Sequence, residues 1–99
     1  MRRASKVDAN QSRIVGIFRA MGCGVQSLAA VGGGVPDLLV GIKGRTVLVE
    51  VKDGTKPPSA RKLTPDQVRW HGSWPDDVAV IESDEQAIDF VARLRRAGL

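Results

Sequence analysis

The sequence predicts a single-domain α/β (α+β) fold, a mixed sheet flanked by helices in the order α-β-β-β-α-β-α. Three observations lead there. At 99 residues the chain has room for one core. Two apolar runs, "DLLVGI" and "RTVLVEVK", stand on either side of Lys43-Gly44, the pattern of a hairpin. Apolar residues at helical spacing and two capping boxes mark helices before and after it.

Taken in order, residues 8–21 read as the first helix. Ile14, Ile17, Phe18 and Met21 line one face, Asp8 is the candidate N-cap, and Gly22 ends it. Residues 24–31, "GVQSLAAV", read as a strand, which Gly32-Gly33-Gly34 breaks. The hairpin follows, then a loop rich in Pro, Gly and Lys, "DGTKPPSARK". Thr64-Pro65-Asp66-Gln67 has Thr at N-cap, Pro at N1 and Gln at N3, so a helix starts there and runs to about Ser73. Leu63 and Val68 stand where a hydrophobic staple forms. "VAVIE" is a short strand, and Ser83 to Gln86 is a second capping box that opens a last helix through about Arg96.

Composition narrows the function classes. No apolar run approaches the roughly 20 residues of a membrane span. The basic N-terminus has no apolar stretch behind it, so no secretory signal and a cytoplasmic setting are expected, the host-cell cytoplasm if the chain is virally encoded. Cys23 is the only cysteine and is expected as a small buried residue, with no intrachain disulfide. One Cys and one His do not make a structural zinc site. The net charge of +4 fits a phosphate-binding partner as well as it fits a solvated surface. Its clusters are Arg2, Arg3 and Lys6; Lys52, Lys56, Arg61 and Lys62; and Arg93, Arg95 and Arg96. With four aromatics and no Tyr, a base-stacking platform is poorly supported.

A two-residue Lys43-Gly44 turn pairs Ile42 with Arg45 and, counting on, Asp37 with Glu50. Directly paired side chains share a face, and Lys52 joins them two residues on. Val47, Val49 and Val51 then face the helices. A four-residue turn would keep the faces, and a three-residue turn would break them. Two opposed carboxylates repel. Lys52 offsets part of this, and a divalent cation offsets more, since Mg²⁺ and Mn²⁺ prefer hard oxygen ligands. The Val51 carbonyl lies close enough to add a third oxygen. Such a site supports phosphodiester hydrolysis, with the metal polarising a phosphoryl oxygen and Lys52 orienting the nucleophile or stabilising the pentavalent charge.

Pro36-Asp37 and Glu50-Val51-Lys52 resemble the signature of the PD-(D/E)XK nuclease superfamily. With "GVPDLLVG", "LVEVKDG" and "LTPDQVRWH", the chain is similar over residues 8–90 to its virus-type replication–repair nuclease (VRR-NUC) family. The resemblance implies a restriction-endonuclease-like αβββαβ core with a C-terminal helix over residues 8–99, preceded by a basic arm at 1–7. It implies a Mg²⁺- or Mn²⁺-dependent DNA endonuclease, with Asp37, Glu50 and the Val51 carbonyl as metal ligands. Lys52 is then catalytic, and Gln67 matches a glutamine that faces the site. Many relatives carry a glutamate on the first helix; the matching register here holds Gln11, after Asn10.

Each residue has a plainer reading beside the functional one. Asp37 fits an ordinary turn acid, and Glu50 with Lys52 a solvent-facing ion pair. Gln67 and Gln11 both sit at N3, where they would cap a helix. His71 has no evident partner in the sequence and reads as a surface or helix-packing residue. The three glycines read as a flexible turn that lets backbone or DNA approach. The favoured expectation is a structure-specific endonuclease acting on branched DNA as a homodimer, in the manner of a Holliday-junction resolvase. The rivals are a non-catalytic nucleic-acid-binding subunit and a sequence-specific restriction-type endonuclease.

Overall fold

The structure is a computed structural model and describes residues 9–97. The basic arm at 1–7 and the Asp8 cap lie outside the described residues. Helix α1 spans Ala9–Ala20. It ends as the glycine predicts: Gly22 takes φ +87°, its N–H donates to Arg19 O, and Cys23 N–H donates to Phe18 O, both at 3.0 Å. These are the paired bonds of a Schellman stop. Strands β1 (Gly24–Ser27), β2 (Leu38–Ile42) and β3 (Arg45–Val51) follow. After them come a short helix α2 (Pro58–Arg61), helix α3 (Pro65–Ser73), strand β4 (Val78–Ile81) and helix α4 (Asp84–Ala97).

The four strands form one sheet in the order β1-β2-β3-β4. β1, β2 and β3 pair antiparallel, and β4 lies parallel to β3. A parallel neighbour cannot be reached by a tight turn, and the segment carrying α2 and α3 makes the crossover. The β2–β3 register is the one expected: Ile42 pairs with Arg45, Gly41 with Thr46 and Leu38 with Val49. Gly44 takes φ +79°, which lets the chain reverse in two residues.

One sheet face packs on α1 and α4. Ile14, Phe18, Leu38, Val40, Val49 and Val91 are wholly buried there. Each such side chain contributes about 1.5–3 kcal/mol relative to exposure. Cys23 is also buried. The opposite face presents Leu48 and Glu50 and is met by α3. Val80, paired with Glu50, stays 41% exposed, so the sheet is open at that edge. Among the described residues no helix is long and apolar enough to cross a membrane.

Four details differ from expectation. β1 stops at Ser27, because Ser27 Oγ accepts the Ala29 N–H at 3.2 Å and Val31 N–H turns back to Leu28 O at 3.0 Å. The loop after β3 contains α2. Gln86 accepts the N–H of Glu82, at 2.7 Å, instead of that of Ser83, so the second box is closed only through Ser83 Oγ to Gln86 N–H at 3.2 Å. Val68 remains 56% exposed, so the expected staple buries little area.

Candidate active site

Asp37 enters β2 behind the buried Pro36 and is tied down at both ends. Its carbonyl accepts the Leu28 N–H at 2.8 Å, and its Oδ2 accepts the Val51 N–H, also at 2.8 Å. That second bond draws the carboxylate to the end of β3, beside Glu50. The preceding turn is fixed from outside. Gly34 has φ +89°, and a Cβ there would fall on the Asp66 carbonyl. The approach to Asp37 is therefore held against the first turn of α3 by a contact that only glycine permits.

Glu50 is the most buried charged residue among those described, at 2% exposure. Burial, reinforced by the adjacent Asp37 carboxyl, pushes its pKa from the ordinary 4.5 up to about 8. Lys52 works in the opposite direction: its Nζ lies 3.8 Å from Glu50 Oε2. Asp37, Glu50 and Lys52 are therefore brought together, in a half-buried to buried setting that a solvent-facing ion pair does not fit.

Gln67 caps α3 and contacts Glu50 and Lys52 with one side chain. Thr64 caps α3 by accepting the Gln67 N–H at 3.2 Å, and Gln67 Oε1 accepts the Thr64 N–H at 2.9 Å, which completes the capping box. The same Oε1 accepts from Lys52 Nζ at 2.9 Å, and Nε2 donates to Glu50 Oε2 at 3.1 Å. The helix cap thereby aims the amide at the acid and the base together.

Two residues join the site without having been singled out for it. Asn10 Nδ2 donates to the Lys52 carbonyl at 2.7 Å and anchors the end of β3 to α1. His71, largely buried on α3, places its Nε2 3.8 Å from Glu50 Oε1 without a hydrogen bond between them. Burial and the nearby Lys52 charge lower its pKa, which favours the neutral imidazole. The available signal was spacing: His71 follows Gln67 by one helical turn, so both occupy one face. Gln11 is buried on α1 and lines a small cleft with Val25, Ser27 and Leu38.

A cation can be weighed against these groups. Glu50 Oε1 is buried without a hydrogen-bond partner among the described residues, and burial together with the Asp37 carboxyl outweighs Lys52 in opposing the charge on Glu50. The donor set of two carboxylates and the Val51 carbonyl is hard oxygen, as Mg²⁺ and Mn²⁺ require. Among the described residues no group of three His, Cys, Asp or Glu side chains is arranged to hold an ion, so the carbonyl and water would complete the shell. The groups fit an ion of the kind that keeps several waters.

The basic clusters separate by face. Arg61 turns inward, to Lys56 O at 2.8 Å and Glu82 at 3.3 Å, while Lys56 and Lys62 are exposed. Arg93 pairs with Asp89 on α4, and Arg95 reaches the Met21 carbonyl. α4 lies on the face opposite Glu50. An apolar groove of about 870 Å³ lined by Leu39, Leu48, Trp70 and Trp74 runs beside the carboxylates without including them.

Compared with known proteins, the chain matches no family model, no curated protein and no solved structure. The nuclease resemblance therefore rests on Pro36-Asp37, Glu50-Val51-Lys52 and the Leu63-Thr64-Pro65-Asp66-Gln67 helix start.

Proposed function

We propose that this chain is a Mg²⁺- or Mn²⁺-dependent DNA endonuclease, of the kind its motif residues resemble. The observation that carries the reading is the single constellation at the end of β3. Two carboxyls stand side by side, and Gln67 bridges one of them to Lys52. A buried acid pair with its own lysine is costly as architecture and useful as a site for a divalent cation and a phosphodiester. The cation, held by Asp37, Glu50 and the Val51 carbonyl, would supply the charge that polarises the phosphate.

The chain's own groups do the rest. Lys52 places Nζ 3.8 Å from Glu50 Oε2, where it can meet the negative charge that grows on the phosphoryl oxygens. Gln67 fixes that ammonium through Oε1 and leaves it little rotamer freedom. Asn10 holds the backbone of Lys52 from the other side. The exposed Lys56 and Lys62, in the segment that follows Lys52, suit DNA phosphates, so binding should weaken steeply with salt.

The same reading extends to a homodimer acting on branched DNA. Val31 and Trp74 are 63% and 43% exposed, and the Trp70–Trp74 groove is uncovered in the single chain. A two-fold pair of sites matches the symmetry of a four-way junction. The absence of an acid at Asn10 and Gln11 favours the rival, a subunit that binds nucleic acid without cutting. The test is cleavage of linear, flap and four-way DNAs with Mg²⁺ or Mn²⁺, with Lys52→Ala as control and sedimentation alongside. Preferred cutting of the junction, loss in the variant, and about twice the 10.6 kDa chain mass are expected. Binding without cutting in either metal would favour the rival. A monomer, or equal cutting of all DNAs, would leave only a generic nuclease.

A further inference from the structure

Two buried polar atoms in the site face each other without a hydrogen bond. Glu50 Oε1 and His71 Nε2 are both shut off from solvent, lack a partner among the described residues, and stand 3.8 Å apart. The other oxygen of Glu50 is served by Gln67 Nε2 at 3.1 Å, with Lys52 Nζ at 3.8 Å. An ionised carboxylate this buried requires hydrogen bonds or counter-charge at each oxygen. His71 Nε2, itself unsatisfied, is the nitrogen set nearest to Oε1 by the ion-pair geometry, at 3.8 Å. Its ring is held edge-on to Trp70, with centroids 6.3 Å apart and planes at 81°. A closure of about 1 Å brings the two atoms to hydrogen-bonding distance.

We propose that His71 is a positioning residue: its Nε2–H donates to Glu50 Oε1 in the cation-loaded protein and fixes how that carboxylate is presented. The inference rests on the reading of the site as a metal centre. It differs from direct ligation, which needs a bare Nε2 and places the proton on Nδ1. One donor on each side of Glu50, Gln67 and His71, both from one face of α3, would hold the carboxylate like a clamp. The helix cap that aims Gln67 aims His71 as well.

His71 is the only histidine, so its ring nitrogens can be read without ambiguity in an untagged chain. Long-range proton–nitrogen correlation spectra of the Mg²⁺-saturated protein should show the Nε2–H tautomer. The Nδ1–H tautomer overturns the proposal. Mn²⁺ binding, followed by electron paramagnetic resonance, gives a second readout. His71→Phe and His71→Asn should weaken binding about tenfold, while His71→Gln, which places an N–H near the position of Nε2, should stay within about threefold of wild type. Binding as tight as wild type in the Phe and Asn variants, or as weak in the Gln variant as in the Phe variant, overturns it. If the Phe variant does not fold, the tautomer and the Gln–Asn comparison decide. A wild-type chain that binds no Mn²⁺, indistinguishable from Glu50→Gln, overturns the metal-centre reading and this inference together. Wild-type binding lost in Glu50→Gln but flat across the His71 series overturns this inference alone.

Discussion

Replacing Glu50 by Gln should make the metal-free protein more stable at alkaline pH and remove most of a pH dependence that wild type carries. In the folded chain Glu50 holds its proton up to about pH 8, against an ordinary value of 4.5, because it is buried and faces Asp37. Between those values the folded state keeps a proton that the unfolded state has lost. Stability from this group is therefore complete below about pH 4.5 and falls as pH rises through the window, to be lost above about pH 8. At about 1.36 kcal/mol per pKa unit, the full loss is on the order of 4–5 kcal/mol, a large part of the roughly 5–15 kcal/mol that holds a small domain together. His71, whose pKa is lowered by burial, works in the opposite direction near its own titration. The readout is therefore the difference between wild type and Glu50→Gln, measured by urea denaturation in chelator from about pH 5 to about pH 8.5. The variant should gain on wild type steadily across that range. Adding Mg²⁺ at the alkaline end should restore wild type, by about 2.7 kcal/mol at a hundredfold excess over Kd, and leave Glu50→Gln unmoved. Parallel pH profiles in the two proteins would refute the buried acid pair.

Three further substitutions probe how the site is held. Gly34→Ala places a side chain at φ +89° and against the Asp66 carbonyl. It should cost more than the roughly 1–2 kcal/mol of a left-handed residue alone and should weaken metal binding through displacement of α3; a melting temperature and metal affinity like wild type's would deny that contact its role. Thr64→Ala removes only the cap and should cost about 1 kcal/mol with metal affinity nearly kept, whereas Gln67→Ala should lose metal affinity as well. Equal metal affinity in the two variants would confine Gln67 to capping. Gln11→Glu adds an acid at the position where the resembled family carries one, and calorimetry should show tighter Mg²⁺ binding; unchanged affinity would remove Gln11 from the site.

The hairpin was legible because one short local signal governed it. Lys43-Gly44 fixes a two-residue turn, the turn fixes the register, and the register brings Asp37 to Glu50. The Thr64 capping box was legible for the same reason. What the sequence did not reveal depends on neighbours far along the chain. β1 ends four residues short of the expected strand, because "LAAV" is apolar enough for a strand while Ser27 locally turns the backbone. The capping role of Gln67 is local, whereas its reach to Glu50 and Lys52 depends on the placement of α3 over β3. His71 carries a spacing signal, one helical turn after Gln67, but its approach to Glu50 depends on how α3 lies over β3. Asn10 had no sequence signal for its bond to the Lys52 carbonyl, which spans 42 residues.

The central claim is that Asp37, Glu50 and Lys52 share one face because they share a cation and a scissile phosphate. The most direct measurement is anomalous diffraction at the manganese edge from crystals soaked in Mn²⁺. A peak bonded to carboxylate oxygens of Asp37 and Glu50 and to the Val51 carbonyl is expected, at roughly 2.0–2.3 Å as hard-oxygen ligation requires, with no such peak in Glu50→Gln. An empty cluster at saturating Mn²⁺, with the Gln67 bridge between Glu50 and Lys52 intact, would contradict it.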